Sequence, residues 1–227
     1  MNALVACEES QRVTAAFREL GHNAFSCDIM QTSGEHPEWH IYGDCVPVLN
    51  GCCEFTTQDG AMHKIDTRWD LIIGHPPCTY ISNAGARFLY PKGVLNEERL
   101  RKGIEATHLF LHILYADCDK ICVENPIPSS VYMLPKYTQV IQPYHFGHPL
   151  KKKTCLWLKG LPELVHTNEI PASECQSTKI AGNWFNHGGK ERQMNRAKTF
   201  PGIAKAMAQQ FGGDIRDAEV DGITTWR

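Results

Sequence analysis

The sequence predicts an α/β fold in which helices cover both faces of a mostly parallel, Rossmann-like sheet. Short apolar runs typical of buried strands recur along the chain, among them residues 2–7, 23–27 and 71–74. A stretch with helical spacing of apolar residues separates the first two runs. Strand, helix and strand in this order form a βαβ unit, and such units build parallel sheets.

Residues that typically begin or end helices set the limits of the first βαβ unit. Asn2 to Cys7 is the first predicted strand, and Ser10 is expected to cap a helix with apolar residues at positions 13, 16, 17 and 20. Gly21 stops that helix, because glycine readily adopts the conformation that ends one. The second strand runs from Asn23 to Cys27 and ends at Asp28.

The later elements follow the same kind of signal. Asn96 is the predicted N-cap of a long helix that has two glutamates in its first turn. Its predicted apolar face consists of Leu100, Ile104, Leu111 and Leu114. The other predicted elements are strands at Leu71 to Gly74, Lys120 to Val123 and Thr154 to Leu158, and a closing helix at Gly202 to Phe211.

The chain is long enough for one α/β domain, which we expect to span all 227 residues. Two stretches rich in polar, glycine and charged residues, Val48 to Thr67 and about Gly160 to Lys198, are predicted to be irregular. The second of these forms a small insertion at about 160–198 in the predicted domain.

Composition excludes several classes of protein. Hydrophobic residues make up 42% and charged residues 21% of the chain, as in soluble globular proteins. No apolar run reaches membrane-spanning length, and the N-terminus resembles a first strand rather than a signal peptide, so we expect a cytoplasmic protein. The ten cysteines are irregularly spaced, which favours reduced thiols over disulfides, and none has the paired spacing of a metal site. The expected oligomeric state stays open.

The net charge of the chain limits how it could bind nucleic acid. The formal net charge of −2 means that any nucleic-acid contact depends on local positive charge. The candidates are Lys151 to Lys153 and the stretch from Lys190 to Lys198, although a lysine triplet is equally typical of a solvated surface.

Polar or reactive side chains directly follow four of the predicted strands. They are Glu8, Asp28, Cys78 and Glu124. Because doubly wound sheets bind ligands beyond the carboxyl ends of their strands, we expect one crevice that holds a thiol and several carboxylates.

Cys78 follows two prolines at the end of a predicted strand, which favours a nucleophile over core packing. Glu124 could give or take a proton on a substrate that the thiol attacks. An inert buried cysteine and a capping or salt-bridged glutamate remain the alternatives. Asp28 could bind ribose hydroxyls or simply form a turn, and Asp44 carries the same ambiguity.

Five segments, in order along the chain, resemble the DNA cytosine-5 methyltransferases in the short form found in phage and prophage genomes. The segments are LVACEESQRVTAAFRELGHNAFSCDI, GHPPCTYISNAG, ICVENP, FGHPLKKKTCLWLKGLP and RAKTFPGIAKAMAQQFG. The resemblance implies a class I S-adenosylmethionine-dependent methyltransferase fold. It also implies methyl transfer from that cofactor to carbon 5 of cytosine in DNA, within a bacterial host cell.

The resemblance assigns roles to particular residues. Cys78 would attack carbon 6 of the base, Glu124 would protonate or hydrogen-bond ring nitrogen 3, and Asn125 would hold the backbone of its motif. Lys152 would contact the base or a phosphate. The implied cofactor-binding residues are Cys7, Glu9, Ser10, Asp28, Ile29, Asp44, Cys45 and Thr199.

The sequence departs from the family pattern in four places. In the motif after Glu-Asn, Leu150, Lys152 and Thr154 stand where the family has a glutamine and two arginines. The glycine-rich first motif reads Cys7-Glu8-Glu9-Ser10-Gln11, where a carboxylate could meet the cofactor's ammonium group. His75 occupies a position where a small residue is usual; packing on Trp69 or Tyr80 and a part in catalysis are both open. A full target-recognition domain is missing, so a pyrimidine nucleotide substrate, or a degenerate fold that only binds DNA or protein, remain alternatives.

Overall fold

A seven-stranded sheet forms the centre of the computed structural model, which describes residues 1–177 and 197–213. The strands of the described part, in chain order, are β1 (Asn2–Ala6), β2 (Asn23–Asp28), β3 (His40–Tyr42), β4 (Cys53–Thr56), β5 (Met62–Ile65), β6 (Leu71–Gly74), β7 (Ile121–Pro126), β8 (Gln139–Ile141), β9 (Leu150–Lys151), β10 (Thr154–Lys159) and β11 (Gln176–Ser177). The helices are α1 (Arg12–Glu19), α2 (Asn83–Ala86), α3 (Glu97–Leu114) and α4 (Pro201–Met207), the last continuing as a π turn over Ala208–Gly212.

The sheet is mostly parallel, as predicted. Its order is β3-β2-β1-β6-β7-β10-β8, in which β10 runs antiparallel to both of its neighbours. The first five strands follow the order 3-2-1-4-5 of a doubly wound sheet. The order reverses between β1 and β6, so the carboxyl ends of these two strands border the crevice where such sheets bind ligands.

Helices cover the sheet on both faces because successive strand residues point to opposite sides. One apolar layer packs the sheet against α3 and includes Leu4, Phe25, Ile72, Val123, Phe110 and Ile113. The other packs it against α1 and α4 and includes Val5, Ala24, Ile73, Phe17, Ile203 and Met207. All of these side chains are almost completely buried. The two layers fix the strand register on which the site depends.

The long helix α3 begins as predicted and buries most of the predicted face, since Leu114 is buried and Leu100 and Leu111 pack against the core. Asn96 caps it, its Oδ1 accepting a hydrogen bond from the Arg99 N–H at 3.0 Å. The predicted face was wrong at Ile104, which is 45% exposed. The buried positions are Gly103, Ala106, Phe110, Ile113 and Leu114. At Gly103 the ring of Tyr132 approaches the helix so closely that any Cβ would overlap it.

The stretch predicted to be irregular at residues 48–67 contains a β-hairpin instead. Strands β4 and β5 pair antiparallel, with Phe55 opposite His63. Phe55 packs edge-on against Phe25, and the ring centroids lie 5.1 Å apart. The polar turn residues of this segment obscured two short strands that have only one buried side chain each.

The predicted insertion at about 160–198 lies partly outside the described residues. Within residues 160–177 the chain is irregular apart from a 3-10 turn at Ala172–Glu174 and β11, which pairs parallel to β9. The candidate nucleic-acid contacts from Lys190 to Arg196 fall outside the described residues. None of the helices in the described part combines the length and the apolar character needed to cross a membrane.

Candidate active site

Two loops joined by hydrogen bonds form the centre of the crevice. One follows β6 and carries Cys78, and the other follows the Glu124-Asn125 end of β7. The Asn125 Nδ2 donates to the Pro76 carbonyl at 2.7 Å, and the Asn83 N–H donates to the Ile127 carbonyl at 3.0 Å. The Ser129 N–H donates to the Ile81 carbonyl at 2.8 Å. Contacts on both sides of Cys78 therefore hold its loop to the loop after Glu124.

The backbone around Cys78 is fixed by the short helix α2. The Ser82 N–H donates to the Cys78 carbonyl at 3.1 Å, and the Ser82 Oγ accepts from the Gly85 N–H at 3.2 Å. Gly85 approaches the Thr79 carbonyl so closely that no side chain fits between them. Cys78 itself is half-buried, and its backbone is held by these contacts.

Glu124 faces His75 because of the register between β6 and β7. Gly74 pairs with Val123, so the next residue on each strand lies at the same level of the sheet. The His75 Nδ1 lies 3.0 Å from the Glu124 Oε2, and the two side chains are only 11% and 12% exposed. The Thr199 Oγ1 donates to the same oxygen at 3.3 Å. One carboxylate oxygen is thus anchored, while Oε1 accepts no hydrogen bond within the described chain.

The pKa values of the pair shift in opposite directions. Burial alone would raise the pKa of Glu124, but the hydrogen bond and charge of His75, together with the charge of Lys152, hold it below its ordinary value. Burial alone would lower the pKa of His75, yet the hydrogen bond and charge of Glu124 raise it above its ordinary value. The carboxylate of Glu124 and the protonated ring of His75 therefore stabilise each other.

Lys152 lies between β9 and β10 and brings a positive charge to the pair. Its Nζ lies 5.8 Å from the centre of the Phe200 ring, in the range of a cation–π contact. Its charge lowers the pKa of both Glu124 and His75. The structure therefore places this predicted catalytic residue beside Glu124.

The loop after β1 has the backbone shape that a glycine-rich motif would give, although it has no glycine. Cys7 and Gln11 both adopt the left-handed region, at φ 60° and 56°. The Cys7 Sγ lies 4.0 Å from the Cys45 Sγ, and a hydrogen bond with Cys45 and burial raise the pKa of the Cys7 thiol well above its ordinary value. The two predicted cofactor residues are adjacent, and Cys7 is a poor nucleophile.

The prediction that Ser10 caps α1 was wrong. Gln11 is the N-cap residue and makes no capping contact with its side chain. The Glu8 carboxylate fills that role, accepting hydrogen bonds from the Val13 N–H at 2.7 Å and from the Thr14 N–H at 3.2 Å. A carboxylate satisfies two unpaired helix N–H groups and complements the helix dipole, so it displaces the serine.

Glu9 is held by two other parts of the chain. Its Oε2 accepts from the Ser33 N–H at 3.3 Å, and its Oε1 lies 3.9 Å from the Lys198 Nζ. The Arg12 Nη1 donates to the Thr199 carbonyl at 2.9 Å. The segment before α4 therefore closes over the loop after β1, and Thr199 extends from there to Glu124.

The predicted nucleoside-binding residues lie at the ends of β2 and β3. The Asp28 Oδ1 accepts from the Met30 N–H at 2.8 Å, and burial raises the pKa of this carboxyl. Ile29 beside it is 74% exposed. Asp44 is exposed, and its Oδ1 accepts from the Val46 N–H at 3.0 Å. A half-buried carboxylate next to an exposed apolar side chain suits a ribose and its base.

Sequence reasoning missed two groups in the site. The pairing of His75 with Glu124 joins residues 49 positions apart, and only the register of β6 and β7 could have revealed it. Glu8 was grouped with the crevice carboxylates, but its acceptor atoms bind the chain's own helix. The sequence did carry a signal for this capping role, because Glu8 stands four residues before the first residue of α1.

Comparisons with known proteins give likenesses among solved structures. No family model and no curated protein sequence matches the chain. Among 56 matching chains of solved structures is a candidate DNA modification methyltransferase encoded within an Escherichia coli prophage. It shares 13% identity with this chain at a TM-score of 0.42, over 75% of this chain and 52% of the other. The chain spans about half the length of that structure, and a likeness at this level does not identify a function.

Proposed function

We propose that this protein transfers a methyl group from S-adenosylmethionine to carbon 5 of cytosine in DNA, with Cys78 as the nucleophile. The observation that carries the proposal is the joined pair of loops. Hydrogen bonds at 2.7–3.0 Å connect the loop of Cys78 to the loop after Glu124. A thiol and a buried carboxyl group at one crevice suit attack on a pyrimidine ring with charge developing on a ring nitrogen.

The anchoring of Glu124 supports its part in the reaction. One oxygen is held by His75 and Thr199, and the other has no hydrogen-bond donor within the described chain. A carboxyl group held in this way presents a defined oxygen to a flat substrate. Positioning of that kind contributes strongly to rate, because a misplaced group loses its geometry in the transition state.

The residues at the ends of β1, β2 and β3 fit the proposed cofactor. Asp28 would accept hydrogen bonds from ribose hydroxyls, and the exposed Ile29 would cover one face of the adenine. Asp44 would lie at the adenine edge, with Cys7, Ser10 and Cys45 lining the path toward Cys78. When bound, S-adenosylmethionine supplies an electrophilic methyl group.

The chain's own groups would act in a fixed order. The Cys78 thiolate adds to carbon 6 of the cytosine, and the ring electrons move through carbon 5 toward nitrogen 3. Glu124 shares a proton with nitrogen 3 and so stabilises the charge that develops there. Carbon 5 would then take the methyl group, which would leave S-adenosylhomocysteine, and would lose its proton to water. The bond between carbon 6 and Cys78 would break last and return the thiolate. A base in duplex DNA must leave the stack before the thiol can reach it.

Methyl-labelled S-adenosylmethionine incubated with the protein and one of three substrates tests the proposal. The substrates are duplex DNA, single-stranded DNA and deoxycytidine nucleotides, and the products are digested to nucleosides and identified by mass. We expect 5-methylcytosine from DNA. Label only in free nucleotide would replace DNA by a nucleotide substrate, and label on an exocyclic amine would contradict attack on carbon 6.

Two cysteine variants separate chemistry from folding. Cys78→Ser is expected to lose methyl transfer while it still binds the cofactor. Cys52→Ser alters an exposed thiol outside the crevice and is expected to keep wild-type turnover. Turnover by Cys78→Ser would exclude Cys78 as the nucleophile. DNA binding without any methyl transfer by the wild type would favour a degenerate, non-catalytic fold.

A further inference from the structure

The geometry of His75 gives it one partner in the site. Its main-chain N–H donates to the Ala6 carbonyl at 2.9 Å, and the rigid Pro76 follows it, so the backbone is fixed. Its Nδ1 lies 3.0 Å from the Glu124 Oε2. This is the length of an ordinary N–H···O hydrogen bond, so one proton on the His75 Nδ1 can bridge the two groups.

The other ring nitrogen of His75 is buried and has no partner within the described chain. A proton on Nε2 has no acceptor there and burial opposes a charged ring, but the hydrogen bond and charge of Glu124 outweigh both and hold the pKa of His75 above its ordinary value. Two carboxylates favour the charged ring, Glu124 on β7 and Glu8 after β1, while Lys152 before β10 opposes it. The charge on the ring therefore depends chiefly on the charge of Glu124, and the pair titrates as a unit.

We propose that His75 is a positioning residue for Glu124 and supplies the proton that Glu124 passes to the substrate. The inference rests on the proposed function, because it names the source of a proton in that reaction. A carboxylate alone would repel the lone pair of nitrogen 3. Within the described chain, His75 is the titratable group that contacts Glu124 by a hydrogen bond and changes charge near neutral pH.

The proposed step balances in atoms and charge. The pair starts as the Glu124 carboxylate and the His75 imidazolium, so the only proton it can give is the one on the His75 Nδ1. As the bond between the Cys78 sulfur and carbon 6 forms and electron density moves to nitrogen 3, His75 gives this proton to Glu124, which passes it to nitrogen 3. His75 is then neutral with its remaining proton on Nε2, Glu124 is again a carboxylate, and the substrate adduct is not left as an anion. When Cys78 is expelled, nitrogen 3 returns the proton to the pair.

His75→Asn tests this step because it keeps an N–H donor near the position of Nδ1 but carries no titratable proton. We expect unchanged dissociation constants for DNA and cofactor, and a kcat reduced by a factor on the order of 100 or more. The alkaline limb of the pH profile should move to lower pH, since the remaining acid is Glu124 alone. His112→Asn changes an exposed histidine of α3 and should leave both readouts unchanged.

A second variant, His75→Ala, distinguishes loss of the proton source from loss of the fold. His75→Ala leaves a cavity beside Glu124, and added imidazole is expected to restore turnover in it. The same addition should not restore Glu124→Gln. In the free protein, ¹⁵N NMR should show that His75 titrates at lower pH in Glu124→Gln than in the wild type.

The outcomes distinguish the two proposals. A wild type that transfers no methyl group overturns the proposed function and this inference together. An active wild type whose His75→Asn variant retains its kcat and its alkaline limb overturns the inference alone. Failure of imidazole to restore His75→Ala, with unchanged cofactor and DNA binding, also counts against His75 as the proton source.

Discussion

The Nδ2 of Asn125 donates a 2.7 Å hydrogen bond to the carbonyl of Pro76, and both residues are buried. This contact joins the end of β7 to the loop that carries Cys78, two residues before the thiol. The position of Cys78, the proposed nucleophile, relative to Glu124 therefore depends on a side chain that need not touch the substrate.

Replacing Asn125 by Asp tests that dependence. The carboxylate cannot donate to the Pro76 carbonyl, so a buried acceptor loses its partner and the free energy of unfolding should fall by about 1–3 kcal/mol. Displacement of the Cys78 loop should lower kcat by a factor on the order of 100. Urea denaturation and steady-state kinetics measure the two effects. An unchanged kcat would show that the contact does not position the thiol.

Gly85→Ala should disturb the same loop from its other side. A Cβ at this position overlaps the main-chain carbonyl of Thr79, the residue after Cys78, so the backbone must move. We expect kcat to fall more than tenfold, since about 1 Å of misplacement suffices for such losses. Gly43→Ala, where a Cβ meets no atom within 4 Å, is the control for stability. Wild-type turnover in Gly85→Ala would contradict the close approach.

Glu8→Ala should destabilise α1. The substitution removes the acceptor for two N–H groups of the first helical turn and for the Thr14 hydroxyl. Loss of a helix cap typically lowers the free energy of unfolding by about 1 kcal/mol, up to about 2. Glu19→Ala, at the exposed end of the same helix, should change it by less than about 0.5 kcal/mol. Equal effects in thermal or urea unfolding would argue against a capping role.

The pairing of Glu124 with His75 predicts a pH-dependent contribution to stability. The lowered pKa of Glu124 stabilises the fold above its ordinary value of 4.5, and this is lost on acidification through the folded pKa. The raised pKa of His75 stabilises the fold below its ordinary value of 6.5, and this is lost as pH rises through the folded pKa. The unfolding free energies of wild type and Glu124→Gln should therefore differ most between pH 4.5 and 6.5. A larger difference at pH 8.5 would contradict the assigned shifts.

The sheet could be predicted because its strands are nearly continuous apolar runs. Strands buried on both faces leave a clear signal in residues 71–74, and the βαβ order then implies parallel pairing. The hairpin β4–β5 left no such signal, since each of its strands buries a single side chain. On α3 the periodicity was wrong at Ile104 and did not show the contact of Gly103 with Tyr132, because that contact depends on the absence of a side chain.

The candidate site was predictable in its members but not in its contacts. The ends of adjacent strands point to one crevice whatever their register, so Cys78, Glu124 and Asp28 could be grouped from sequence. Which groups touch depends on register, and Gly74 opposite Val123 brings His75 to Glu124. Thr199 was expected at the cofactor, and it lies within 3.3 Å of Glu124 because the segment before α4 crosses the crevice.

Covalent trapping tests most directly the claim that Cys78 attacks carbon 6 of a cytosine. Duplex DNA containing 5-fluorocytosine, incubated with the protein and S-adenosylmethionine, cannot lose a proton from carbon 5, so the sulfur–carbon bond should persist. Protease digestion and mass spectrometry should find the base attached to Cys78, and the adduct should be absent from Cys78→Ser. Methylation of ordinary cytosine by a protein that forms no such adduct, or an adduct at another cysteine, would contradict the proposed chemistry.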